Sequence, residues 1–265
     1  MKLQAAFAIV FELAFAIRTA FWPTLLAIWK SPSLLLHPQQ LSRLLFSNIW
    51  VFFGPVTDEN GKPFKEALIT PNAYGVVLDI GAGFGHTMKY LDRTKITKYV
   101  ALEPNTNMHE RIRHTGAKEG YTEADGTLVI LSYGIENTSS IRSALYGQQV
   151  DTIISILVLC SVPNPQRSIT NLVRDTLKPG GAFLYYEHVL SPRKDVAWWQ
   201  RFWAPFWSFI FDGCRLDRPS HLYVDQVKDR DGESIWKERE LRGVDGESEE
   251  ASHLFEHRIG RYIKA

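Results

Sequence analysis

The stretch VVLDIGAGFGHT, residues 76–87, has a glycine at every second position directly after an aliphatic run. Gly81, Gly83 and Gly85 lack a Cβ, so the backbone can approach a ligand closely and adopt positive φ angles. Dinucleotide-binding turns follow G-x-G-x-x-G, and the shorter last gap here argues against a pyrophosphate. Asp79, two residues before the first glycine, would repel a pyrophosphate but attracts a cation. The turn therefore predicts a site for a small, positively charged ligand.

A second carboxylate is placed for the same ligand. Glu103 ends the strand candidate YVALEP and lies eighteen residues after Gly85, where an acid can accept hydrogen bonds from both hydroxyls of a ribose. Turn, preceding acid and second acid together favour S-adenosylmethionine, which carries a sulfonium and an ammonium. A nicotinamide or other nucleotide is the alternative, and Asp79 argues against it.

These residues need a parallel sheet to bring them together. Short aliphatic runs alternate with polar segments of helical length, which is typical of βαβ units; the runs are GVVLDIG, KYVALEP, LVILSYG, DTIISILVL and GGAFLYYEHV. We therefore predict an α/β fold with a doubly wound, mostly parallel, seven-stranded sheet over residues 76–265. Two further strand candidates near the C-terminus flank an acidic, glycine-containing loop and are expected to form an edge hairpin.

The first thirty residues differ from the rest in being apolar almost throughout. They are long enough to cross a bilayer, but Glu12 and Arg18 interrupt them, so a helix lying in the membrane interface is the favoured interpretation. Pro23 is expected to end or kink this helix. The alternatives are a soluble helix packed on the domain and a cleavable secretory signal. Residues 1–30 are thus predicted to be an apolar membrane-associating segment and residues 31–75 a helical connector.

The composition limits which kinds of partner the protein is expected to bind. The 265 residues include 30 Lys and Arg against 29 Asp and Glu, and this balance gives no field that would gather nucleic acid. Cys160 and Cys214 are too few and too far apart in sequence for a disulfide framework or a zinc cluster. We therefore expect no nucleic-acid partner, no metal and a location on the cytosolic side of a membrane.

Several longer stretches narrow the family. The segments LEPNTNMHERI, ILVLCSVPNPQ, LKPGGAFLYYEHV, WWQRFWAPFWSFIFDGC and HRIGRYIKA resemble the methyltransferase-like 7 group of class I S-adenosylmethionine-dependent methyltransferases, which are membrane-anchored thiol methyltransferases of endoplasmic reticulum and lipid droplets. The resemblance implies a Rossmann-like fold, S-adenosylmethionine as cofactor and a small hydrophobic acceptor, with a thiol favoured. The cofactor-binding residues that we expect are Asp79, Gly81, Gly83, Gly85, Glu103, Pro104, Asn105, Ile135, Glu136 and Leu157.

The chain departs from the resemblance after the third strand. There YGIEN carries an inserted Ile135, so either Glu136 or the Ile135 backbone is expected to meet the adenine. The acidic loop near the C-terminus is also longer, which leaves the acceptor side of the site open.

Methyl transfer depends mainly on placing the acceptor in line with the donor. A thiol ionises with a pKa near ~8.5 and needs little help from a base. Glu187 and His188 at the end of the fifth strand and Asp212 in FDGC are the candidate catalytic residues, while Cys160 is interpreted as a small buried residue. N- or O-methylation of a secondary metabolite is an alternative function, and a non-catalytic cofactor-binding protein on a lipid surface is another.

The aromatic segment WWQRFWAPFWSFIF, residues 198–211, has too many rings for one buried helix face. We expect an apolar surface that faces lipid and admits a hydrophobic substrate, with core packing as the alternative.

Overall fold

A single sheet forms the centre of the molecule. A computed structural model describes residues 1–244, 247 and 253–265. Within these residues seven strands pair in the order β3-β2-β1-β4-β5-β7-β6; they are β1 (Gly75–Ile80), β2 (Ile96–Leu102), β3 (Leu128–Leu131), β4 (Val150–Ile156), β5 (Leu177–Val189), β6 (Trp236–Gly243) and β7 (Glu256–Lys264). The first five are parallel, β7 runs antiparallel to β5, and β6 pairs antiparallel with β7. The predicted doubly wound fold and the edge hairpin are confirmed, although much of the acidic loop lies outside the described residues.

Helices lie along both faces of this sheet. They are α1 (Leu3–Lys30), α2 (Pro38–Asn60), α3 (Lys62–Asn72), α4 (His109–Glu119), α5 (Thr138–Ala144), α6 (Pro165–Thr176), α7 (Lys194–Ile210) and α8 (Ser220–Asp225). The local sequence explains α6 well. Proline stands at its first position, where no backbone donor is needed, and the residues that it buries recur at helical spacing: Ser168, Ile169, Leu172, Val173 and Thr176.

The order of the strands decides where a ligand can bind. The chain moves from β1 outward to β2 and β3, then returns to β4 on the other side of β1, so β1 and β4 border a topological switch point. Ile80 pairs with Leu102 on one side and with Ser155 on the other. The glycine turn, Glu103 and the end of β4 therefore emerge at the same edge of the sheet.

The two sheet faces carry separate apolar clusters. Leu78 and Ile80 of β1 belong to the cluster under α5, α6 and α8, whereas Val77 belongs to the cluster under α3 and α4. Successive strand residues point to opposite faces, so Asp79 shares the face of Val77. This places a carboxyl group inside an otherwise apolar cluster.

A third cluster joins α1 and α2 to α7. The side of α1 that packs on the domain is built mainly of small residues, among them Ala6, Ala16 and Ala20. The helix continues through Pro23 to Lys30, so this proline does not end it. Among the described residues α1 alone is long and apolar enough to cross a membrane, by length and composition.

The outer side of α1 carries large rings. Phe11, Trp22 and Trp29 are 79%, 66% and 84% exposed. The neighbouring α7 exposes Trp198, Phe202, Phe206 and Phe209, and Phe7 of α1 joins the two helices through an edge contact with Trp199, 5.3 Å between ring centroids. We call these exposed side chains of α1 and α7 the apolar face. A soluble helix normally buries its large apolar side chains and exposes polar ones, which is the reverse of α1.

Candidate active site

The glycine turn adopts a conformation that other residues rarely adopt. Gly81, Gly83 and Gly85 have φ angles of +61°, +57° and +79°. A Cβ on Gly81 would lie 2.1 Å from a methyl carbon of Val158, and one on Gly83 would lie 3.0 Å from the Trp50 indole nitrogen. The turn is thus held between the chain that follows β4 and helix α2. Glycine is required here both by the backbone angle and by space.

Asp79 lies beneath this turn. It is 1% exposed and accepts hydrogen bonds from the hydroxyl groups of Tyr99 and Thr87. Burial raises the pKa of Asp79 to about 6, against the lowering effect of these two hydrogen bonds. Because Thr87 follows the last glycine, Asp79 both anchors the turn and places a titratable negative charge under it.

Glu103 joins the turn to the second strand. One carboxylate oxygen accepts the Gly83 N–H at 2.8 Å, and the other accepts the Asn105 N–H at 2.8 Å. Burial raises the pKa of Glu103 to about 7. Each oxygen accepts one backbone hydrogen bond and has further lone pairs. The carboxylate is therefore oriented by the backbone and retains the capacity to accept from ribose hydroxyls.

Helix α2 covers the same edge. The Arg43 carbonyl accepts a hydrogen bond from Asn105 Nδ2 at 2.8 Å, and the Ser42 hydroxyl donates to Asp212 at 3.5 Å. Burial raises the pKa of Asp212, which lies close enough to Glu103 to raise the pKa of that group too. Asp212 therefore belongs to the rim of the glycine turn.

Two polar atoms at this cover have no partner. Trp50 Nε1 and His86 Nε2 are buried and make no hydrogen bond within the described chain. A Cβ on Gly54 would lie 3.0 Å from the first nitrogen and 3.1 Å from the second, so both border one gap that glycine leaves open. Burial lowers the pKa of His86, which favours its neutral form. Buried polar groups normally have partners, so this gap is a place for a polar ligand group.

Two ammonium groups share one carboxylate behind this gap. Asp58 is buried and forms ion pairs with Lys65 and Lys89, and His86 Nδ1 lies 4.0 Å from the same carboxylate. Glu59 and Asp79 also interact with Lys65. The Trp50 indole N–H can only donate, so the gap suits an acceptor such as the carboxylate of an amino acid.

The remaining predicted cofactor residues lie around the same edge. Pro104 is half-buried and Ile135 is 2% exposed, while Glu136 is exposed. The Ile135 carbonyl accepts the Thr138 hydroxyl at 3.1 Å. Leu157 has a φ of +55°, a strained angle for a branched residue and one that tends to persist at functional sites. These placements are compatible with the predicted roles and leave the choice between Glu136 and the Ile135 backbone open.

Glu187 is committed to shaping the loop after β4. Its carboxylate accepts hydrogen bonds from the Ser155 hydroxyl at 2.8 Å and from the Val158 and Leu159 N–H groups at 2.9 and 3.2 Å. Burial raises the pKa of Glu187 to about 7. Among the predicted catalytic residues, Glu187 thus holds the chain that packs against Gly81 and does not face an open cleft.

His188 faces the two cysteines. Its Nε2 lies 3.4 Å from Cys214 Sγ, and Cys214 Sγ lies 3.2 Å from Cys160 Sγ. The two cysteines are 54 positions apart in the sequence and were expected to be too far apart for a metal cluster, but they lie in contact because α7 returns the chain to the end of β4. Nothing local in the sequence signals it.

The gap beside Trp50 was also missed from sequence. His86 directly follows the glycine turn and was within reach of a local argument, whereas Trp50 lies in the segment predicted as a connector. The glycine turn, the backbone-oriented carboxylate of Glu103 and the unpartnered Trp50 N–H are groups that would fit the adenosine and amino-acid ends of S-adenosylmethionine.

The comparisons with known proteins agree with this arrangement. A family model described as a methyltransferase domain matches residues 42–224. The chain belongs to this methyltransferase family. The match begins inside α2, the helix that covers the glycine turn. This methyltransferase uses S-adenosylmethionine as its methyl donor.

Curated relatives of this methyltransferase carry one activity in their names. The human thiol S-methyltransferase TMT1A is 30% identical over 190 residues, which cover 70% of this chain and 66% of that protein. The rat thiol S-methyltransferase TMT1B is 29% identical over 163 residues, covering 61% of this chain and 62% of that protein. The matched segment thus spans just under two thirds of these relatives.

Solved structures share the fold. An O-methyltransferase family protein from Burkholderia thailandensis superposes with a TM-score of 0.59 at 13% identity, covering 96% of this chain and 70% of that one. The cyclopropane synthase MmaA2 from Mycobacterium tuberculosis gives 0.53 at 14% identity, covering 76% and 82%. At these identities the likeness shows the architecture and not the acceptor.

Proposed function

We propose that this methyltransferase transfers the methyl group of S-adenosylmethionine to the sulfur of a small apolar thiol. The observation that carries the proposal is the state of Glu187, the carboxylate nearest the end of β4. It is occupied by three hydrogen bonds from Ser155, Val158 and Leu159. An acceptor that ionises readily suits such a site better than an alcohol, which requires a strong general base. The names of the curated relatives support the same acceptor.

The donor would be held at both ends. Glu103 is oriented to accept the ribose hydroxyls, and the glycine turn gives the amino-acid part a close approach to the backbone. Trp50 Nε1 would donate a hydrogen bond to the donor carboxylate, and neutral His86 would donate a second one in the tautomer that carries its proton on Nε2. Asp79 would attract the cationic end from beneath the turn. The bound donor supplies an electrophilic methyl group, and the chain's task is to orient it and to exclude water.

The three predicted catalytic residues have different proposed roles. Glu187 is a positioning residue that fixes the loop after β4. Asp212 lies on the rim beside Glu103 and Arg43 and helps to close the donor site. His188 faces sulfur atoms and is the residue of the three placed for contact with an acceptor.

The apolar face would rest on a membrane surface. Large rings on α1 and α7 point away from the domain, while the small residues of α1 pack inward. Aromatic side chains favour the lipid–water interface, and an amphipathic helix can lie in it without crossing. We propose attachment on the cytosolic side of endoplasmic reticulum or lipid droplets, where apolar acceptors concentrate.

A competition assay tests the acceptor. Purified full-length protein with isotopically labelled donor is offered an apolar thiol, amine and phenol of matched size, and the methylated products are measured by mass spectrometry. We expect the S-methyl product to dominate. Preferential methylation of the amine or phenol would replace the proposal by N- or O-methylation. Donor binding without product from any acceptor would indicate a non-catalytic cofactor-binding protein.

A further inference from the structure

Three metal-ligating side chains meet beside the donor site. Cys160 follows β4, His188 lies near the end of β5, and Cys214 follows α7. One ligand atom from each lies within 4.8 Å of the others. Cys160 and His188 are buried, and Cys214 is half-buried. The fold therefore assembles a Cys₂His set from three distant parts of the sequence.

The distances suit a tetrahedral metal ion. Zinc binds cysteine sulfur at about 2.3 Å and histidine nitrogen at about 2.1 Å, so tetrahedral ligand atoms lie roughly 3.5 to 3.8 Å apart. The two sulfur atoms are 3.2 Å apart, and His188 Nε2 is 3.4 Å from Cys214 Sγ. The third pair, Cys160 Sγ and His188 Nε2, lies within 4.8 Å, so shifts of up to about 1 Å would bring all three atoms onto one ion.

Without a metal, the hydrogen bond from Cys214 and burial raise the pKa of the Cys160 thiol, but two neighbouring groups would stabilise the thiolates once a cation is bound. The Trp207 indole N–H donates a hydrogen bond to Cys214 Sγ at 3.3 Å. Arg218, whose guanidinium binds the Leu159 and Val162 carbonyls on either side of Cys160, brings a positive charge to the other sulfur. Hydrogen-bond donors and nearby cations stabilise metal-bound thiolates. Two thiolates and a divalent ion also cancel in charge, which makes burial less costly.

We propose that Cys160, Cys214 and His188 bind a zinc ion and leave its fourth position open to an external thiol. Sites with three protein ligands typically reserve the fourth position for water or substrate, and Cys₂His is one of the sets used in this way. Soft sulfur ligands suit zinc well.

The site lies close to the donor turn. Val158, two residues before Cys160, packs against Gly81, where a Cβ would meet its methyl carbon at 2.1 Å. If the proposed thiol acceptor is correct, the fourth position is where that acceptor binds. On binding, the thiol S–H bond breaks, the proton passes to solvent, and a sulfur lone pair binds the ion. The metal would then do the work of the general base that Glu187 is not free to do.

Cobalt titration of the full-length protein tests the metal site without any turnover. Cobalt replaces zinc in such sites and gives thiolate charge-transfer bands that report sulfur ligands. Purified apoprotein should bind one equivalent and show these bands, and zinc should displace the cobalt. Cys160→Ser, Cys214→Ser and His188→Gln should each weaken zinc binding by at least about tenfold.

A matched histidine controls for nonspecific effects. His221, like His188, has a buried Nδ1 without a hydrogen-bond partner in the described chain. It lies outside the cluster, so His221→Gln should bind zinc like the wild type. S-adenosylhomocysteine affinity should be unchanged in the cysteine variants, which would show that they fold. Absent thiolate bands, or equal zinc affinity in Cys160→Ser, would overturn the site. So would isolation of the protein with a Cys160–Cys214 disulfide that persists in mild reductant.

The fourth position has a separate readout. Adding an apolar thiol to the cobalt-loaded protein should shift the charge-transfer bands, because a third sulfur joins the ion. An unchanged spectrum would overturn the open position and leave the metal site standing. Thiol methylation at an undiminished rate by metal-free protein would overturn the metal's part in the reaction, while the proposed thiol activity would remain.

Discussion

The proposed donor side and the proposed acceptor side of this methyltransferase are built on different principles. The donor side consists of the glycine turn, Asp79 and Glu103, which lie within 25 residues of one another at the ends of two adjacent strands. The acceptor side would comprise the end of β4, the end of β5 and the chain after α7. Spacing along the sequence specifies the donor side, whereas the acceptor side forms only when α7 brings distant segments together. The difference teaches that cofactor and acceptor specificity would reside in separable parts of one fold.

The strongest test of the donor side is Gly81→Ala. The new methyl group would meet Val158 and force a residue with a side chain to a φ of +61°. Strain and overpacking of this kind each cost about 1 to 3 kcal/mol, so together they cost about 2 kcal/mol or more. We therefore expect at least about a 30-fold loss in S-adenosylhomocysteine affinity by calorimetry. Gly147→Ala is the matched control, because its φ is +76° but nothing lies within 4 Å. Equal affinities in the two variants would remove the turn from the donor site.

The proposed membrane attachment, which would deliver the acceptor, is tested by charges placed on the apolar face. Replacing Phe11, Trp22 and Trp29 by Glu removes three exposed rings without touching the packed side of α1. Each ring is expected to contribute about 1 kcal/mol of interfacial burial, so flotation with phospholipid vesicles should fall by at least about 30-fold. Tyr146→Glu is the control, since this ring is 93% exposed but lies outside the apolar face. Unchanged flotation would show that the membrane contact is made by α7 or that there is none.

The cover of the donor side can be tested by removing one hydrogen-bond donor. Trp50→Phe keeps an aromatic ring, of smaller size, and removes the N–H that we assign to the donor carboxylate. Hydrogen bonds to charged groups contribute about 1.5 to 3 kcal/mol, so S-adenosylhomocysteine should bind about tenfold more weakly. Binding of 5′-methylthioadenosine, which has no carboxylate, should be unaffected. Trp203→Phe also removes a buried indole N–H that has no partner in the described chain. It should change the affinity for neither ligand. Equal losses for both ligands would point to packing rather than carboxylate recognition.

The smallest predicted effect is a pH dependence with opposite signs for stability and for binding. Burial raises the pKa of Asp79 to about 6 and that of Glu103 to about 7. A raised folded-state pKa stabilises the free protein below about pH 4, and this contribution is lost as the pH rises through 6 and 7. The donor prefers the ionised carboxylates, so its affinity should rise about fivefold between pH 6 and 8. Thermal unfolding and calorimetry in buffers of different ionisation enthalpy measure both trends. A donor affinity that does not change with pH would show that the donor does not interact with these two carboxylates.

The sequence predicts the donor side because each of its parts is local. The spacing of Gly81, Gly83 and Gly85 reflects their backbone angles, and the position of Glu103 follows from the length of one βα unit. The parallel sheet follows equally from alternating strands and helices. Trp50 could not be predicted, because it lies some thirty residues before the turn and meets it only through the packing of α2. The contact between Cys160 and Cys214 could not be predicted for the same reason, because their distance in the sequence does not tell where α7 brings the chain back.

Helix α2 touches both α1 and the glycine turn. If the proposed membrane attachment holds, this arrangement would set how an acceptor arrives. A protein bound to lipid through α1 and α7 would take apolar molecules from the bilayer, where their concentration exceeds that in water. Occupancy of the site would then depend on partition into the bilayer more than on affinity for the pocket. A methylated sulfur, which has lost its polar hydrogen, would return to the same lipid phase, so the product would leave without passing through water.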